Sequence, residues 1–269
     1  MNQKILFFFL IITTKSITEW DYKQHGKDWE ANFKGCKAQQ KSPMNILSSK
    51  SSQMESKYFF FPKIYQNTTG KLQLMEQDNL LVLNYTNDNL LGELMFKIKV
   101  DFLNIEDGEF VNVKCHGISF KFPGEFTLNK KNYDGELQVN CSTYFNNQLN
   151  GIYIVIPFSI VNDTINQSHI FDEIYNNILD KNLPIDIYIN DFKDFLDDYT
   201  IMDEVYFYQG MLNFPPCDVL SFWFFVSRDL FIHNKVYDKL KGFLNKEKCP
   251  DGNNRLASEQ DDSTFLYNY

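Results

Sequence analysis

Residues 110–122 read FVNVKCHGISFKF, and residues 135–145 read GELQVNCSTYF. In the first stretch Val113 and Cys115 alternate with polar side chains, and in the second Gln138 alternates with apolar ones. A period of two residues is typical of a β-strand whose two faces have different surroundings. The two stretches therefore predict two strands of a large sheet.

Other segments extend this sheet or pack around it. Apolar or alternating runs bounded by turn residues predict further strands at 80–85, 93–102, 151–160 and 221–226. Two segments predict helices, because apolar residues recur every three or four positions, as in Ile170, Ile174 and Ile178 and in Val236, Leu240 and Phe243. No repeat, charge block or Pro/Gly/Ser linker divides the chain, so we predict one sheet-dominated α+β domain over residues 19–269 with a few peripheral helices.

The N-terminal residues predict export. A short positive head at residues 1–4 is followed by an apolar run at residues 5–12 and by small or polar residues at 13–18. The apolar run is far shorter than the roughly 20 residues that span a bilayer, so a signal peptide over residues 1–18 is favoured over a membrane anchor. We expect a secreted protein, or one in the lumen of the endomembrane system, without a transmembrane segment in the mature chain.

The charge of the chain argues against one class of partner. The 269 residues include 26 Lys and Arg against 35 Asp and Glu, which gives a net charge of −9. Removal of residues 1–18 takes away Lys4 and Lys15 and no acidic residue, so the charge of −9 becomes −11. Nucleic-acid affinity depends on clustered positive charge, and we expect no nucleic-acid partner.

Export would also give meaning to the Asn-x-Ser/Thr triplets, which are acceptors for N-glycosylation. An Asn-rich chain produces such triplets by chance as well, and we expect two or three of them to be used. The candidates are Asn67, Asn84, Asn162 and Asn166, with a fifth triplet at Asn140.

Ordered blocks of sequence, from about residue 20 to residue 260, resemble the alpha-class carbonic anhydrase family. The resemblance implies a large, twisted, mostly antiparallel sheet that carries a conical cavity, with helices on the outside. The matching blocks are Trp20-x-Tyr22 with Gly26-x-x-Trp29, Cys36 and 40–46 (QKSPMNI); 125–128 (EFTL) with 133–137 (YDGEL); 208–217 (YQGMLNFPPC) with Trp223; and Asn253-Asn254-Arg255.

The sequence differs from this family at the positions of the three metal ligands. Enzymes of this family hydrate carbon dioxide with a zinc ion held by three histidines, two in a His-x-His pair and one on the next strand. Matching the glycine that closes the pair to Gly117 places the three positions at Val113, Cys115 and Gln138. Catalytic zinc needs three ligands drawn from imidazole, thiolate or carboxylate groups, and of these three residues only Cys115 could supply one, so we expect neither zinc nor another cofactor. His116 lies on the opposite face from Cys115 unless a β-bulge turns it inward.

The positions around the metal slots also differ from the family pattern. Zinc is what generates hydroxide from water at neutral pH, so its loss predicts the loss of carbon dioxide hydration. The resemblance places Asn213 where the family has a hydroxyl residue that orients this hydroxide, and Phe214 where it has a small residue. Asn140 falls on the wall that faces carbon dioxide, so we expect this asparagine to point inward and to stay unglycosylated.

Two acidic residues, Glu125 and Glu136, match the outer carboxylates of the family site. A buried carboxylate without a hydrogen-bond donor is costly. We predict that Glu125 accepts from the side-chain amide of Asn213, and that Glu136 is either protonated or bonded to Gln138 or Asn253. The alternative, a general base for a new reaction, lacks a nucleophile or an oxyanion donor beside it.

The five cysteines divide into three groups. The resemblance implies a disulfide between Cys36 and Cys217, as in secreted members of the family. Cys115 and Cys141 should point to opposite faces of neighbouring strands, and we predict that they are unpaired. Cys249 has no evident partner, which leaves an intermolecular bridge or a free thiol.

The functional prediction is a secreted, catalytically inactive carbonic-anhydrase-like protein that binds or assembles with another protein or a glycan. Two alternatives stay open. One is a residual enzyme, either a carbonate dehydratase with rearranged metal ligands or an esterase-like descendant. The other is a structural subunit of a larger complex.

Overall fold

The computed structural model describes residues 19–37, 42–53, 63–64, 70–85, 92–96, 111–145, 148–163, 167–189, 205–260 and 266–268. The predicted signal peptide at residues 1–18 and the sequons at Asn67 and Asn166 lie outside the described residues.

Strands dominate the described part of the chain, and two α-helices accompany them there. The helices are α1 (His169–Ile178) and α2 (Asn234–Lys241), and short 3-10 turns lie at Trp29–Ala31, Lys34–Lys37 and Ser48–Lys50. The strands are β1 (Met44–Ile46), β2 (Ser52–Gln53), β3 (Lys63–Ile64), β4 (Gly70–Gln77), β5 (Leu80–Tyr85), β6 (Gly92–Phe96), β7 (Val111–Lys121), β8 (Thr127–Leu128), β9 (Gly135–Phe145), β10 (Gln148–Val161), β11 (Ile185–Ile189), β12 (Val205–Met211), β13 (Leu220–Val226), β14 (Leu230–His233), β15 (Ser258–Glu259) and β16 (Leu266–Asn268).

Within the described residues, one sheet of 13 strands forms the body of the protein. Its main order is β11-β4-β5-β7-β9-β10-β13-β12-β16-β2, with β14 paired to β10, β6 paired to β7 and β3 paired to β6. Most neighbours are antiparallel, and the parallel pairs are β10–β13, β10–β14 and β16–β2. A separate small sheet has the order β15-β1-β8. The prediction of an α+β domain with a large, mostly antiparallel sheet is confirmed.

The strands that place the functional site are central in this sheet. β7 lies between β5 and β9, and β9 lies between β7 and β10, so neither is an edge strand. Residues on both faces of β9 are buried, with Leu137 and Val139 on one face and Glu136 and Gln138 on the other. A polar row on such a strand must find its hydrogen-bond partners inside the protein.

Two apolar clusters cover the two faces of the sheet. The first contains Leu137 and Val139 together with the buried faces of α1 and α2, including Ile174 and Leu240. The helices thus pack with the apolar faces that their spacing predicts. No helix in the described segments is long and apolar enough to cross a membrane. The second cluster is aromatic and lies on the face of Gln138, with members Met44, Ile46, Phe126, Tyr133, Tyr153, Val155, Tyr206, Tyr208, Leu212, Trp223 and Phe225.

The N-terminal segment is fastened to the sheet by a disulfide and by an arginine. Cys36 and Cys217 are joined, as the resemblance implies, across 181 residues of sequence. Arg255 donates from Nη2 to the backbone oxygen of Cys36 at 2.9 Å and from Nη1 to that of Ser42 at 2.9 Å. Its guanidinium also lies over the ring of Trp29. These contacts satisfy a cation that is almost fully buried.

The prediction that Cys115 and Cys141 are unpaired is wrong, because the structure joins them in a second disulfide. The pairing of β7 with β9 shifts register between Cys115 and Gly117, so His116 is the extra residue of a β-bulge. The bulge turns Cys115 to the face of Cys141, its direct cross-strand partner. Cys249 is a buried free thiol.

Candidate functional site

A row of buried polar side chains runs along the pairing of β7 with β9. Ser119 lies opposite Gln138, and Lys121 lies opposite Glu136. Directly opposed residues of an antiparallel pair project from the same face, so these four side chains form one row. All four are almost fully shielded from solvent, and they lie on the face of the aromatic cluster.

The three predicted ligand positions do not converge. Gln138 lies in the polar row, whereas Cys115 lies beyond the bulge, opposite Cys141, and Val113 lies two residues further along the strand. At about 3.3 Å per residue, Val113 is roughly 20 Å from Ser119, the residue that faces Gln138. The matched glycine suggested a register that the pairing of the strands does not have. The positions of β7 that share a face with Gln138 are Gly117, Ser119 and Lys121.

His116 does not reach the row either. It belongs to the bulge, where its Nε2 atom lies 2.7 Å from the Oγ atom of Ser142. Burial and the neighbouring charge of Lys114 lower the pKa of His116. The bulge therefore directs this imidazole to Ser142 and not to Gln138.

Glu125 is the centre of the hydrogen-bond network. Its Oε1 atom accepts from Nζ of Lys121 at 2.7 Å and from the backbone N–H of Arg255 at 2.8 Å. Its Oε2 atom accepts from the side-chain amide of Asn213, which is the predicted contact, and from Nε2 of Gln138 at 3.4 Å. Both oxygens of this fully buried carboxylate are thus occupied by donors.

The carboxyl group of Glu136 accepts hydrogen bonds from two backbone N–H groups and from a side-chain amide. Its Oε2 atom accepts from the N–H groups of Glu125 and Phe126, both at 3.0 Å, and its Oε1 atom accepts from Nε2 of Gln138 at 2.7 Å. The predicted bond to Gln138 is present, whereas the amide of Asn253 instead bonds backbone groups of β7 and the residue after it. Burial and the charge of Glu125 raise the pKa of Glu136 to about 8, against the hydrogen bonds and the charge of Lys121.

Lys121 is the site residue that sequence reasoning missed. It donates to Glu125, to the hydroxyl oxygen of Tyr22 at 2.9 Å and to the backbone oxygen of Asn253 at 3.4 Å. The signal was present in the sequence, because Lys121 stands between two phenylalanines on the same alternating face as Ser119. A lysine flanked by buried aromatic residues in a central strand needs an internal acceptor.

The remaining predicted pocket residues lie at the edge of this network. Asn213 follows β12 and is fully buried, and its neighbour Phe214 is half-buried with its ring stacked on Trp20 at a centroid distance of 6.3 Å. Asn140 accepts a hydrogen bond from Oγ of Ser119 at 3.3 Å. Its amide is thus engaged on the site face, which agrees with the inward orientation expected from the sequence.

The side chains that meet at this site do not fit a zinc ion. On this face β7 presents Gly117, the hydroxyl of Ser119 and the ammonium group of Lys121 to the amide of Gln138, whereas catalytic zinc takes three imidazole, thiolate or carboxylate ligands. Glu125 and Glu136 already accept from a lysine, amides and backbone N–H groups. Among the described residues, no group of three or more His, Cys, Asp or Glu side chains is arranged to hold a metal ion.

Comparison with solved structures gives the same fold at low sequence identity. An alpha-carbonic anhydrase from Photobacterium profundum aligns with a TM-score of 0.64 at 16% identity, over 93% of this chain and 100% of that chain. A halotolerant carbonic anhydrase from Dunaliella salina aligns with a TM-score of 0.67 at 16% identity, over 95% and 99%. Dioscorin complexed with ascorbate aligns with a TM-score of 0.68 at 14% identity, over 93% and 98%.

Sequence comparison assigns the family. No curated protein matches the chain. The family profile described as "Eukaryotic-type carbonic anhydrase" matches residues 24–260, which is most of the chain. The protein therefore belongs to the eukaryotic-type, or alpha-class, carbonic anhydrase family.

Proposed function

We propose that this protein is a secreted member of the family that does not hydrate carbon dioxide and that acts by binding another protein or a glycan. The observation that carries this is the polar row on β7 and β9. Where Gln138 faces its neighbouring strand, it meets Ser119 and not a metal ligand. The two carboxylates beside it are occupied by donors from Lys121, Asn213 and Gln138.

The chemistry of this row explains the proposed inactivity. Hydration at neutral pH depends on a metal that lowers the pKa of bound water from 15.7 to about 7. A serine hydroxyl and a glutamine amide are poor ligands for zinc. The amide nitrogen of Asn213 donates to Glu125 and to Gln138, so its hydrogen atoms are already engaged by these two side chains.

Several features support export and a binding role. Two disulfides, Cys36–Cys217 and Cys115–Cys141, are typical of proteins from oxidising compartments. The Asn162 sequon is exposed directly after β10, where an oligosaccharide has space, whereas Asn84 and Asn140 lie within central strands. Dioscorin, which has the same fold, has a crystal structure in complex with ascorbate. A protein of this fold can thus bind a ligand, which supports the proposed binding role.

The decisive experiment measures metal content and hydration on the same preparation. The secreted protein would be purified without chelator, its zinc determined by mass spectrometry, and its activity followed by stopped-flow hydration of carbon dioxide. The alpha-carbonic anhydrase from Photobacterium profundum serves as the positive control. We expect far less than one zinc per chain and a rate equal to the buffer rate. One zinc per chain together with sulfonamide-sensitive hydration would overturn the proposal.

A second measurement separates a binding protein from a structural subunit. The native secreted protein would be analysed by size-exclusion chromatography with light scattering, before and after dilution. A glycosylated monomer, or a complex that dissociates on dilution, is expected for a binding protein. A large assembly that survives dilution would instead support the structural subunit.

A further inference from the structure

The ammonium group of Lys121 lies inside the protein among oxygen atoms. Its Nζ atom is 2.7 Å from Oε1 of Glu125, 2.9 Å from the hydroxyl oxygen of Tyr22 and 3.4 Å from the backbone oxygen of Asn253. The side chains of Lys121 and Glu125 are both fully buried. An isolated buried charge is strongly unfavourable, so such a group requires a partner of opposite charge.

Glu125 and Glu136 are the two buried acidic side chains of the site. A buried carboxylate is unfavourable without a positive partner, just as the buried ammonium group of Lys121 is unfavourable without a negative one. Gln138 contacts both of them through Nε2, at 3.4 Å from Glu125 and 2.7 Å from Glu136. Two carboxylates this close repel each other when both are charged. Lys121 lies directly opposite Glu136 in the strand pairing and bonds to Glu125, so its charge acts on both.

The other buried cation near the site serves a different purpose. The guanidinium of Arg255 donates to the backbone oxygens of Cys36 and Ser42. Arg255 reaches Glu125 through its backbone N–H, which carries no net charge. Lys121 is thus the cation that bonds directly to a site carboxylate in the part of the chain that the structure describes.

We propose that the ammonium group of Lys121 is a built-in counter-ion that takes the place of a metal cation beside the retained carboxylates. It neutralises Glu125 from within the chain and lies opposite Glu136, so that the site stays folded without a bound metal. This inference rests on the proposed absence of a metal centre. Lys121 then supplies the positive charge that a metal ion would supply at the site.

A double-mutant cycle tests the charge compensation. Lys121→Met leaves Glu125 without its cation, and Glu125→Gln leaves Lys121 without its anion. Each change is expected to lower Tm by about 10 °C, as is typical when one partner of a buried pair is removed. The double variant should recover at least half of that loss, because it leaves neither an unpaired buried ammonium group nor an unpaired buried carboxylate at this pair.

An exposed ion pair provides the matched control. Nζ of Lys131 lies 2.8 Å from Asp229, and the lysine side chain is 53% exposed. Lys131→Met should shift Tm by no more than about 2 °C, since exposed pairs contribute little. A Lys121→Met variant that behaves like this control would overturn the proposal, as would a double variant no more stable than the single ones. If Lys121→Met does not fold, a folded double variant supports the proposal and an unfolded one overturns it.

A chelator separates this proposal from the functional one. The Tm of the wild-type protein should be the same with EDTA and with added Zn²⁺, since the cation at the site is covalently part of the chain. A decrease in Tm with EDTA would show a stabilising metal and overturn the counter-ion role. The functional proposal is judged separately, by zinc content and hydration, so a zinc-free and inactive protein that shows no coupling between Lys121 and Glu125 would refute the counter-ion alone.

Discussion

The two halves of the pairing between β7 and β9 are held together in different ways. On one side of the bulge at His116, Lys121 and Glu136 begin a buried polar row in which partners are charged or hydrogen-bonded. On the other side, Cys115 and Cys141 are joined covalently. We refer to these as the polar half and the disulfide half.

The difference between the halves lies in where their stabilising free energy arises. The polar half depends on the complete set of partners in the folded state, because each orphaned buried group costs free energy there. A disulfide acts largely by restricting the unfolded chain. The polar half should therefore respond to isosteric substitutions and to pH, and the disulfide half to the loss of the sulfur bond.

The largest effect is expected from Glu136→Leu in the polar half. This change removes the acceptor of two backbone N–H groups and of Gln138, and each unpaired buried donor costs about 1–3 kcal/mol. We expect a loss of about 4 kcal/mol in the free energy of unfolding, measured by urea titration at pH 7. Glu136→Gln keeps an acceptor oxygen and should cost about 1 kcal/mol. Equal losses for the two variants would show that the hydrogen bonds do not matter.

A smaller effect is expected from the double change Cys115→Ser and Cys141→Ser in the disulfide half. The bond closes a loop between residues 26 positions apart, for which the chain-entropy model gives about 3.5 kcal/mol, often less in practice. Urea unfolding would measure the loss. Cys249→Ser is the matched control, because Cys249 is a buried thiol outside any disulfide. A control variant as unstable as the double variant would assign the loss to packing.

The sequence predicts part of the polar half, but neither the register of β7 with β9 nor the role of Lys121. The contact between Glu125 and Asn213 was predictable, because each residue lies within a block of family-like sequence that fixes its position. The strand register was not, since alternation has no marker for one extra residue, and His116 is that residue. Lys121 was overlooked although Glu125 is only four residues away, because two of its three acceptors, Tyr22 and Asn253, come from segments distant in sequence.

The polar half should also respond to pH through Glu136. Burial and the charge of Glu125 raise the pKa of Glu136 to about 8 in the folded protein, with Lys121 acting in the opposite direction. The folded state therefore holds a proton that the unfolded chain has already released, and stability should fall as the pH rises from about 5 to 8. Urea titrations of the wild type and of Glu136→Gln should diverge over this range, and parallel curves would contradict the assignment.

The smallest effect is expected at the boundary between the halves, from His116→Ala. The change removes the contact between Nε2 of His116 and Oγ of Ser142, which corresponds to about 1 kcal/mol. The bulge itself should persist, because it arises from the number of residues between Cys115 and Gly117 and not from the imidazole. Thiol titration of the denatured, unreduced variant should then find the single free thiol of Cys249. Two additional thiols would mean that the disulfide had not formed, and that the side chain of His116 holds Cys115 on the face of Cys141.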